Sequence, residues 1–318
     1  AGCAIGIGNV WKFPYICGEY GGAAFILIYL CFLVILGIPV LVSEFAVGRG
    51  SHTSVAKCFD KLAPEGSGWK PLKSIGIIGC YMLMMFYTTV GGWMLYYCVK
   101  SLRGDFAGAS PEAVTQSFSD MLGNAPTMML WMVIICLIGF AVCFMGLQNG
   151  IEKISKVMMS ALLIIMVVLS VMMEGAGEGI SFYLVPDFQK IKDAGIGNVV
   201  FAALSQSFFT LSIGIGAMLI FGSYLDKSRS LTGEAVSITI LDTFVALTAG
   251  FIIIPACFSY GIQPDAGPSL IFITLPNIFA KMSGGALWGS LFFLFLTFAA
   301  ISTIIAVFEN LIVFNMEL

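Results

Sequence analysis

Eight long apolar runs constrain what this chain can fold into. They lie near residues 1–17, 22–48, 74–102, 126–147, 155–174, 196–225, 233–260 and 285–316. A helix that crosses roughly 30 Å of hydrocarbon needs about 20 apolar residues. Lipid offers the backbone no water to bond, which favours helices, and the runs lack the period-2 alternation of a membrane barrel. We therefore expect an all-α integral membrane protein with eight spans.

Composition excludes the main alternatives to a membrane protein. With 59% hydrophobic and 10% charged residues and a mean hydropathy of +0.99, the chain could not cover its apolar surface as a soluble domain. The net charge of −3 is too small to indicate nucleic acid as a partner. The nine cysteines mostly lie singly within apolar runs, which fits neither a disulfide framework nor a zinc site. Ala1 opens one run directly and Leu318 follows another at once, so we expect a fragment.

The basic residues between the runs predict the orientation in the membrane. One side carries Arg49, Lys57, Lys61, Lys70, Lys73, Lys153, Lys156, Lys227 and Arg229, and the other carries Lys100, Arg103, Lys190, Lys192 and Lys281. The richer side is expected to face the cytoplasm. This places the segments 104–125, 175–195 and 261–284 outside, in a multi-pass protein of the cell membrane.

Two similar glycine pairs interrupt the first and sixth runs, in AIGIGNVW (4–11) and SIGIGAML (212–219). Each glycine costs a helix interior about 1 kcal/mol relative to alanine. One interpretation is close helix packing, since Gly2 and Gly6 also fit a small-xxx-small motif. The other is a pair of broken helices, which at matching positions of two halves marks a transporter binding site. A glycine loop for phosphate is disfavoured because no strand precedes it.

Polar side chains accompany the glycine pairs. Asn9 follows the first pair, and Ser205, Gln206, Ser207, Thr210 and Ser212 precede or join the second. Such groups need partners or a wet cavity in hydrocarbon. Their presence shifts the balance towards broken helices.

The eighth and seventh runs contain further candidates. Ala299, Ser302 and Thr303 share one helical face. The two hydroxyls could ligate a hard cation or could bond back to the preceding turn. Asp242 and Glu44 are carboxylates within apolar runs, and Asp242 has the stronger claim to function because Glu44 lies near the cytoplasmic end.

The chain resembles the neurotransmitter:sodium symporters, especially the bacterial amino-acid transporters, over almost its whole length. The similarity lies in GNVWKFPYICGEYGGAAF (8–25), GIPVLVSEFAVGR (37–49), VPDFQKIKD (185–193), QSFFTLSIGIGAM (206–218) and FITLPNIFAKMSGG (272–285). The resemblance implies two inverted five-span repeats with unwound first and sixth spans. Residues 1–174 would form the first repeat, residues 196–316 an incomplete second one, and spans nine to twelve would be missing from this single transporter domain.

The resemblance also implies two sodium ions. The first site would use the carbonyl of Ala4 with side-chain oxygens of Asn9, Thr210 and Asp242, completed by the carboxylate of the substrate. The second would use the carbonyls of Gly2, Ile5 and Ala299 and the hydroxyls of Ser302 and Thr303. Oxygen ligands without sulfur or imidazole suit a hard ion.

A pocket for an amino acid follows from the same resemblance. The substrate carboxylate would meet the amides around Gly6 and Gly8 and the hydroxyl of Tyr87. Its amino group would meet carbonyls around Cys3 and from Phe209 and Ser212. Walls would come from Leu83, Phe209, Ile215, Thr303 and Val307, and Tyr87 with Phe209 would form a lid. Because these walls carry no fixed charge, a neutral and hydrophobic amino acid is expected.

The chain departs from the family pattern at both gates. Lys12 occupies the position of an arginine at the outer gate, whose acidic partner would lie in the missing tenth span. Glu317 matches the acidic residue of the inner gate, whose arginine would precede Ala1.

A further departure concerns the chloride requirement. Asp242 replaces an asparagine of the first sodium site, and Ala246 replaces a serine or an acid. In chloride-dependent relatives an anion lies here, beside the positions of Tyr29 and Gln206. We expect Asp242 to supply the negative charge and to make transport chloride-independent.

The expected activity is sodium-coupled import of an amino acid by alternating access. A substrate sensor or a channel on the same scaffold is the alternative, separated by whether uptake concentrates the substrate. An enzyme is disfavoured because the sole histidine, His52, lies in a loop without a matched nucleophile.

Overall fold

The structure, a computed structural model, describes residues 7–145, 177–259, 267–281 and 284–317. Regular secondary structure within these ranges is entirely helical, as predicted. The α-helices are α1 (Phe13–Glu19), α2 (Ala23–Phe32), α3 (Ile38–Ser51), α4 (Val55–Leu62), α5 (Leu72–Leu102), α6 (Pro111–Gly123), α7 (Ala125–Phe144), α8 (Gly177–Leu184), α9 (Phe188–Ala194), α10 (Ile196–Thr210), α11 (Ala217–Ser223), α12 (Leu231–Ser259), α13 (Leu275–Lys281) and α14 (Gly285–Glu317). Short π-helical segments cover Gly8–Lys12, Leu33–Gly37 and Leu270–Thr274.

Five helical segments in the described ranges are long and apolar enough to cross a membrane. They are Ala23–Ser51, Leu72–Leu102, Ala125–Phe144, Leu231–Ser259 and Gly285–Glu317. They correspond to the predicted second, third, fourth, seventh and eighth runs. The predicted fifth run, 155–174, and the first six residues of the chain lie outside the described residues. The division into two inverted repeats stays a prediction.

The sixth run is broken where the glycine pair predicted it. Helix α10 ends at Thr210 and α11 begins at Ala217. Between them Ser212, Gly214 and Gly216 have φ angles of 53°, 90° and 77°. These are left-handed conformations that a right-handed helix cannot contain and that glycine adopts without a steric penalty. The residues that would show a break in the first run precede Ile7, outside the described residues.

Glycines also allow the close packing of α3 against α11. A Cβ on Gly48 would overlap the carbonyl oxygen of Leu219, and a Cβ on Gly222 would lie 2.7 Å from the Cα of Phe45. Both distances are too short for a side chain, so only glycine permits this approach. The contact fastens α11 to the α2–α3 span.

The other contacts place the broken helix at the centre of the described bundle. Helix α14 packs along α5 and α7, while α12 packs against the segment Gly8–Lys12 and against α8. Helix α10 packs against α2. As a result, Gly8–Lys12, the end of α10 and the middle of α12 meet in the interior.

Candidate functional site

Three predicted side chains meet where these segments converge. Asn9 comes from the first run, Thr210 is the last residue of α10, and Asp242 lies on α12. Nδ2 of Asn9 donates to Oδ1 of Asp242 over 2.8 Å and to its backbone carbonyl over 3.1 Å. Oγ1 of Thr210 donates to Oδ2 of Asp242 over 2.7 Å and to Oδ1 of Asn9 over 3.3 Å. The members of this cluster stand up to 233 positions apart in the chain, and only the family resemblance predicted that they would lie together.

The cluster buries a carboxylate without a basic partner among the described residues. Asp242 has no exposed surface, and Asn9 and Thr210 are 1% and 4% exposed. The salt bridges in the described part of the chain involve other carboxylates. A buried charge is costly unless it is paired. Carboxylate, amide and hydroxyl oxygens are the ligands that hard cations prefer, so a bound cation could supply the missing charge.

The predicted oxygen ligands on α14 also lie together. Oγ of Ser302 donates to the carbonyl oxygen of Ala299 over 2.8 Å, and Oγ1 of Thr303 donates to the same oxygen over 3.3 Å. This is the back-bonded arrangement that the sequence left open, and it gathers three oxygen atoms within one helical turn. Their proposed partners on the first run, Gly2 and Ile5, lie outside the described residues.

An aromatic pair lies beside the acidic cluster. The rings of Tyr87 and Phe209 are stacked, with centroids 6.4 Å apart and planes inclined by 22°. A Cβ on Gly8 would lie 2.7 Å from Cε1 of Phe209, so the absence of a side chain at Gly8 leaves the space that the Phe209 ring occupies. Nζ of Lys12 lies 3.5 Å from the centroid of the same ring. A cation over an aromatic face contributes about 0.5–2 kcal/mol, depending on solvation.

The predicted apolar walls belong to one hydrophobic cluster. Tyr87 and Val307 are buried members, and Leu83, Phe209 and Ile215 pack against it. Thr303 is buried on the same helix as Val307. Ser212 lies in the unwound segment, where its N–H donates to the carbonyl of Phe209 over 3.1 Å. The remaining predicted ligands, Gly2, Cys3, Ala4, Ile5 and Gly6, lie outside the described residues.

Two contacts to the unwound segment were not predicted from the sequence. Backbone N–H of Gly214 donates to Oε1 of Glu44 over 2.6 Å. On the other side, Sγ of Cys80 donates to the carbonyl of Ile215 over 3.3 Å, and Nδ2 of Asn310 donates to that sulfur over 3.1 Å. The position of Glu44 within an apolar run indicated that its carboxylate needs a partner, although the sequence did not identify Gly214 as that partner. No pattern pointed to Cys80 or Asn310.

The predicted inner-gate residue, Glu317, binds the N-cap residue of helix α4. Glu317 accepts hydrogen bonds from the backbone N–H of Ser54 over 3.0 Å and from its hydroxyl over 2.6 Å. Ser54 is the N-cap of α4, and its Oγ accepts from the N–H of Ala56. Glu317 therefore links the end of α14 to α4.

Four of the buried polar side-chain atoms that lack a hydrogen-bond partner in the described ranges lie on residues around Asp242. They belong to the hydroxyls of Tyr29 and Thr243 and to both amide atoms of Gln206. Tyr29 and Gln206 have no exposed surface. Tyr29 and Gln206 are the positions where chloride-dependent relatives are expected to hold an anion.

Comparison with known proteins agrees with the family resemblance found in the sequence. The model of the sodium:neurotransmitter symporter family matches residues 1–117 and 112–317. A sodium-dependent transporter of Bacillus subtilis, YhdH, is 37% identical over 98% of this chain and 69% of its own length. A sodium-dependent transporter of Haemophilus influenzae is 34% identical over 98% of this chain and 70% of its own length. The crystal structure of MhsT in complex with L-phenylalanine superposes with a TM-score of 0.92 at 37% identity, covering 99% of this chain and 71% of that one.

Proposed function

Because the chain belongs to the sodium:neurotransmitter symporter family, we propose that it imports a neutral, hydrophobic amino acid by sodium-coupled alternating access across the cell membrane. Its family consists of sodium-dependent transporters rather than enzymes. The observation that carries the finer proposal is the convergence of Asn9, Thr210 and Asp242 from three separate segments.

The first sodium ion is held by Asn9, Thr210 and Asp242, with the carbonyl of Ala4. The amide of Asn9 can turn about its terminal bond so that Oδ1, rather than Nδ2, faces the ion. The carboxylate of the substrate completes the shell and links ion binding to substrate binding. The ion attracts both carboxylates and reduces the repulsion between them, so each ligand strengthens the binding of the other.

The second sodium ion is held by α14 and the first run. Because the Ser302 and Thr303 hydroxyls donate their hydrogens to the carbonyl of Ala299, the lone pairs of both oxygens remain available to the ion, beside that carbonyl. The carbonyls of Gly2 and Ile5 supply the remaining ligands. Since the ligands come from two elements, this ion stabilises the arrangement in which the first run lies against α14.

The substrate lies between the unwound segments under the aromatic pair. Its carboxylate meets the amides of Gly6 and Gly8 and the hydroxyl of Tyr87, and its amino group meets carbonyls of Cys3, Phe209 and Ser212. The side chain enters the apolar cluster of Leu83, Ile215 and Val307. Burial of that cluster favours a hydrophobic side chain. MhsT, solved with L-phenylalanine, supports a substrate of this class.

Transport does not need chloride because Asp242 supplies a fixed negative charge. The polar groups of Tyr29, Gln206 and Thr243 could otherwise surround an anion beside the sodium ion. An anion there would lie next to the buried carboxylate, and two like charges at close range are unfavourable. The gates are Lys12, which closes over Phe209, and Glu317, which holds the cytoplasmic end of α14 to α4.

Uptake into proteoliposomes tests the proposal. The full-length protein is reconstituted, and accumulation of radiolabelled phenylalanine, leucine and glutamate is measured under an inward sodium gradient. We expect concentrative uptake of phenylalanine and leucine, loss of uptake when potassium replaces sodium, and no loss when gluconate replaces chloride. Uptake that only equilibrates would indicate a channel, and binding without uptake would indicate a sensor. Loss of most uptake in gluconate would refute the role of Asp242 in replacing chloride.

A further inference from the structure

An apolar groove opens on the flank of the bundle between α2, α8 and α12. It has a volume of about 460 Å³, within the roughly 300–1,000 Å³ range of pockets that hold small molecules. The residues lining this lateral groove include Ala23, Leu27, Tyr183, Leu247, Thr248 and Phe251. None of the lining residues belongs to the candidate transport site. The groove therefore needs a separate explanation.

The polar side-chain groups at the groove are already engaged. Oη of Tyr183 donates to the carbonyl of Leu247 over 2.7 Å, and Oγ1 of Thr248 donates to the carbonyl of Phe244 over 2.7 Å. A polar ligand would thus lose its hydrogen bonds to water and find no replacements in these side chains. Hydrocarbon is the chemistry that fits the groove.

The position of the groove places this hydrocarbon in the outer half of the membrane. Helices α2 and α12 belong to spans, and the rim residues Leu27, Leu184 and Phe244 are all exposed. Ala23 is the first residue of α2, so the groove lies near the end of the span. The distribution of basic residues predicts that this end faces outwards. The open side of the groove therefore faces acyl chains rather than water.

A positive charge lies at the same end. Lys190 packs over the turn before α2, because its Cβ is 3.1 Å from the place of a Cβ on Gly21. Its Nζ lies 4.3 Å from the ring centroid of Phe182, the neighbour of Tyr183 in α8. Within the described ranges no carboxylate forms a salt bridge with Lys190. Gly21 and Phe182 stand close in the chain to residues at the groove, and a cation beside an apolar groove at a membrane surface matches the phosphate and chain of a phospholipid.

We propose that the lateral groove binds an acyl chain of one anionic phospholipid of the outer leaflet, with the lipid phosphate at Lys190. The bound chain packs α8 onto α12 through the face that the bond between Tyr183 and Leu247 already joins. This site is independent of the proposed amino-acid and sodium sites.

Native mass spectrometry of the full-length protein tests the binding. The protein is released from detergent with phosphatidylglycerol or phosphatidylcholine that carry identical palmitoyl and oleoyl chains. We expect one phosphatidylglycerol to be retained. Leu27→Trp places a large ring in the groove and should weaken retention about tenfold, the effect of losing about two buried methylene groups. Thr248→Phe, which fills the groove from α12, should act in the same direction.

The matched control is Leu137→Trp, the same substitution at an exposed position of α7 away from the groove. It should leave retention unchanged. Equal loss in both tryptophan variants would mean only annular lipid, and no loss in Leu27→Trp and Thr248→Phe would exclude the groove. A wild-type protein that retains no lipid would exclude a bound phospholipid, and a dimer that dissociates in Leu27→Trp would mean that a second copy of the chain fills the groove. Each of these results would overturn the proposal.

Two lysines of α9 test the position of the phosphate. Lys190→Gln should remove the preference for phosphatidylglycerol over phosphatidylcholine while leaving chain-dependent retention. Lys192→Gln changes the same charge on the opposite face of α9 and should keep the preference. If both variants, or neither, lose the preference, the phosphate is not at Lys190 and the proposal is wrong.

Discussion

Replacing Asp242 by asparagine should weaken sodium binding without unfolding the protein. The substitution Asp242→Asn keeps the size of the side chain and removes its charge. The oxygen of the introduced amide can accept the hydrogen bond from either Asn9 or Thr210. Its nitrogen can donate to the other of these two side chains once that side chain rotates to present its oxygen. The packing around this fully buried position should therefore survive.

The size of the effect follows from electrostatics. A monovalent cation 4 Å from a carboxylate gains about 4 kcal/mol at an effective dielectric constant of 20. The variant retains an oxygen ligand and no longer buries a charge, so we take about half of this as the net loss. A loss of about 2 kcal/mol corresponds to roughly 30-fold weaker sodium affinity.

The assay is amino-acid binding to purified full-length protein during a sodium titration, with N-methylglucamine keeping ionic strength constant. The ligand is whichever neutral amino acid binds the wild type most tightly. The half-saturating sodium concentration should rise about 30-fold in Asp242→Asn, whereas Asp120→Asn, an exposed carboxylate on α6, should leave it unchanged. An unchanged sodium dependence in Asp242→Asn, with a normal thermal unfolding curve, would refute the assignment of the first site.

Three further predictions follow from close contacts in the structure. Gly8→Ala brings a methyl group to 2.7 Å from Phe209, about 1 Å inside ordinary contact; we expect at least tenfold weaker amino-acid binding, and equal affinity would contradict the proposed lid. Gly48→Ala should lower the midpoint of thermal unfolding by several degrees because its Cβ would overlap Leu219. Gly50→Ala is the control and should leave the midpoint unchanged, since its Cβ would lie 3.6 Å from the nearest atom. Equal midpoints in the two variants would contradict the packing of α3 on α11. Glu317→Ala removes the hydrogen bonds to Ser54, and we expect about 1 kcal/mol less protection of α4 amides in hydrogen exchange; unchanged protection would mean that this link is not maintained.

The sequence predicted the helical runs and the broken sixth span for physical reasons that are local. Apolar length requires helices in a membrane, and the pair Gly214 and Gly216 permits left-handed φ angles. The π-helical segment Leu33–Gly37 was not predicted. The same apolar composition can form bonds four or five residues apart, and tertiary packing decides between them.

The site was predicted less from local pattern than from resemblance. Asn9 and Asp242 are 233 positions apart, and no periodicity relates them. Chain folding brings them together, so only a known family could suggest the pair in advance. The contacts of Cys80 and Asn310 with the unwound segment had no such support, since an isolated cysteine and asparagine in apolar helices are compatible with many environments.

The most direct test of the central claim is to locate the ion. Crystals of the full-length protein grown with a bound amino acid, with thallium replacing sodium, would show monovalent sites by anomalous scattering. We predict a peak within coordination distance of Asp242, Thr210 and the side chain of Asn9, next to the carboxylate of the amino acid. An occupied amino-acid site with no peak beside these three residues would contradict the account.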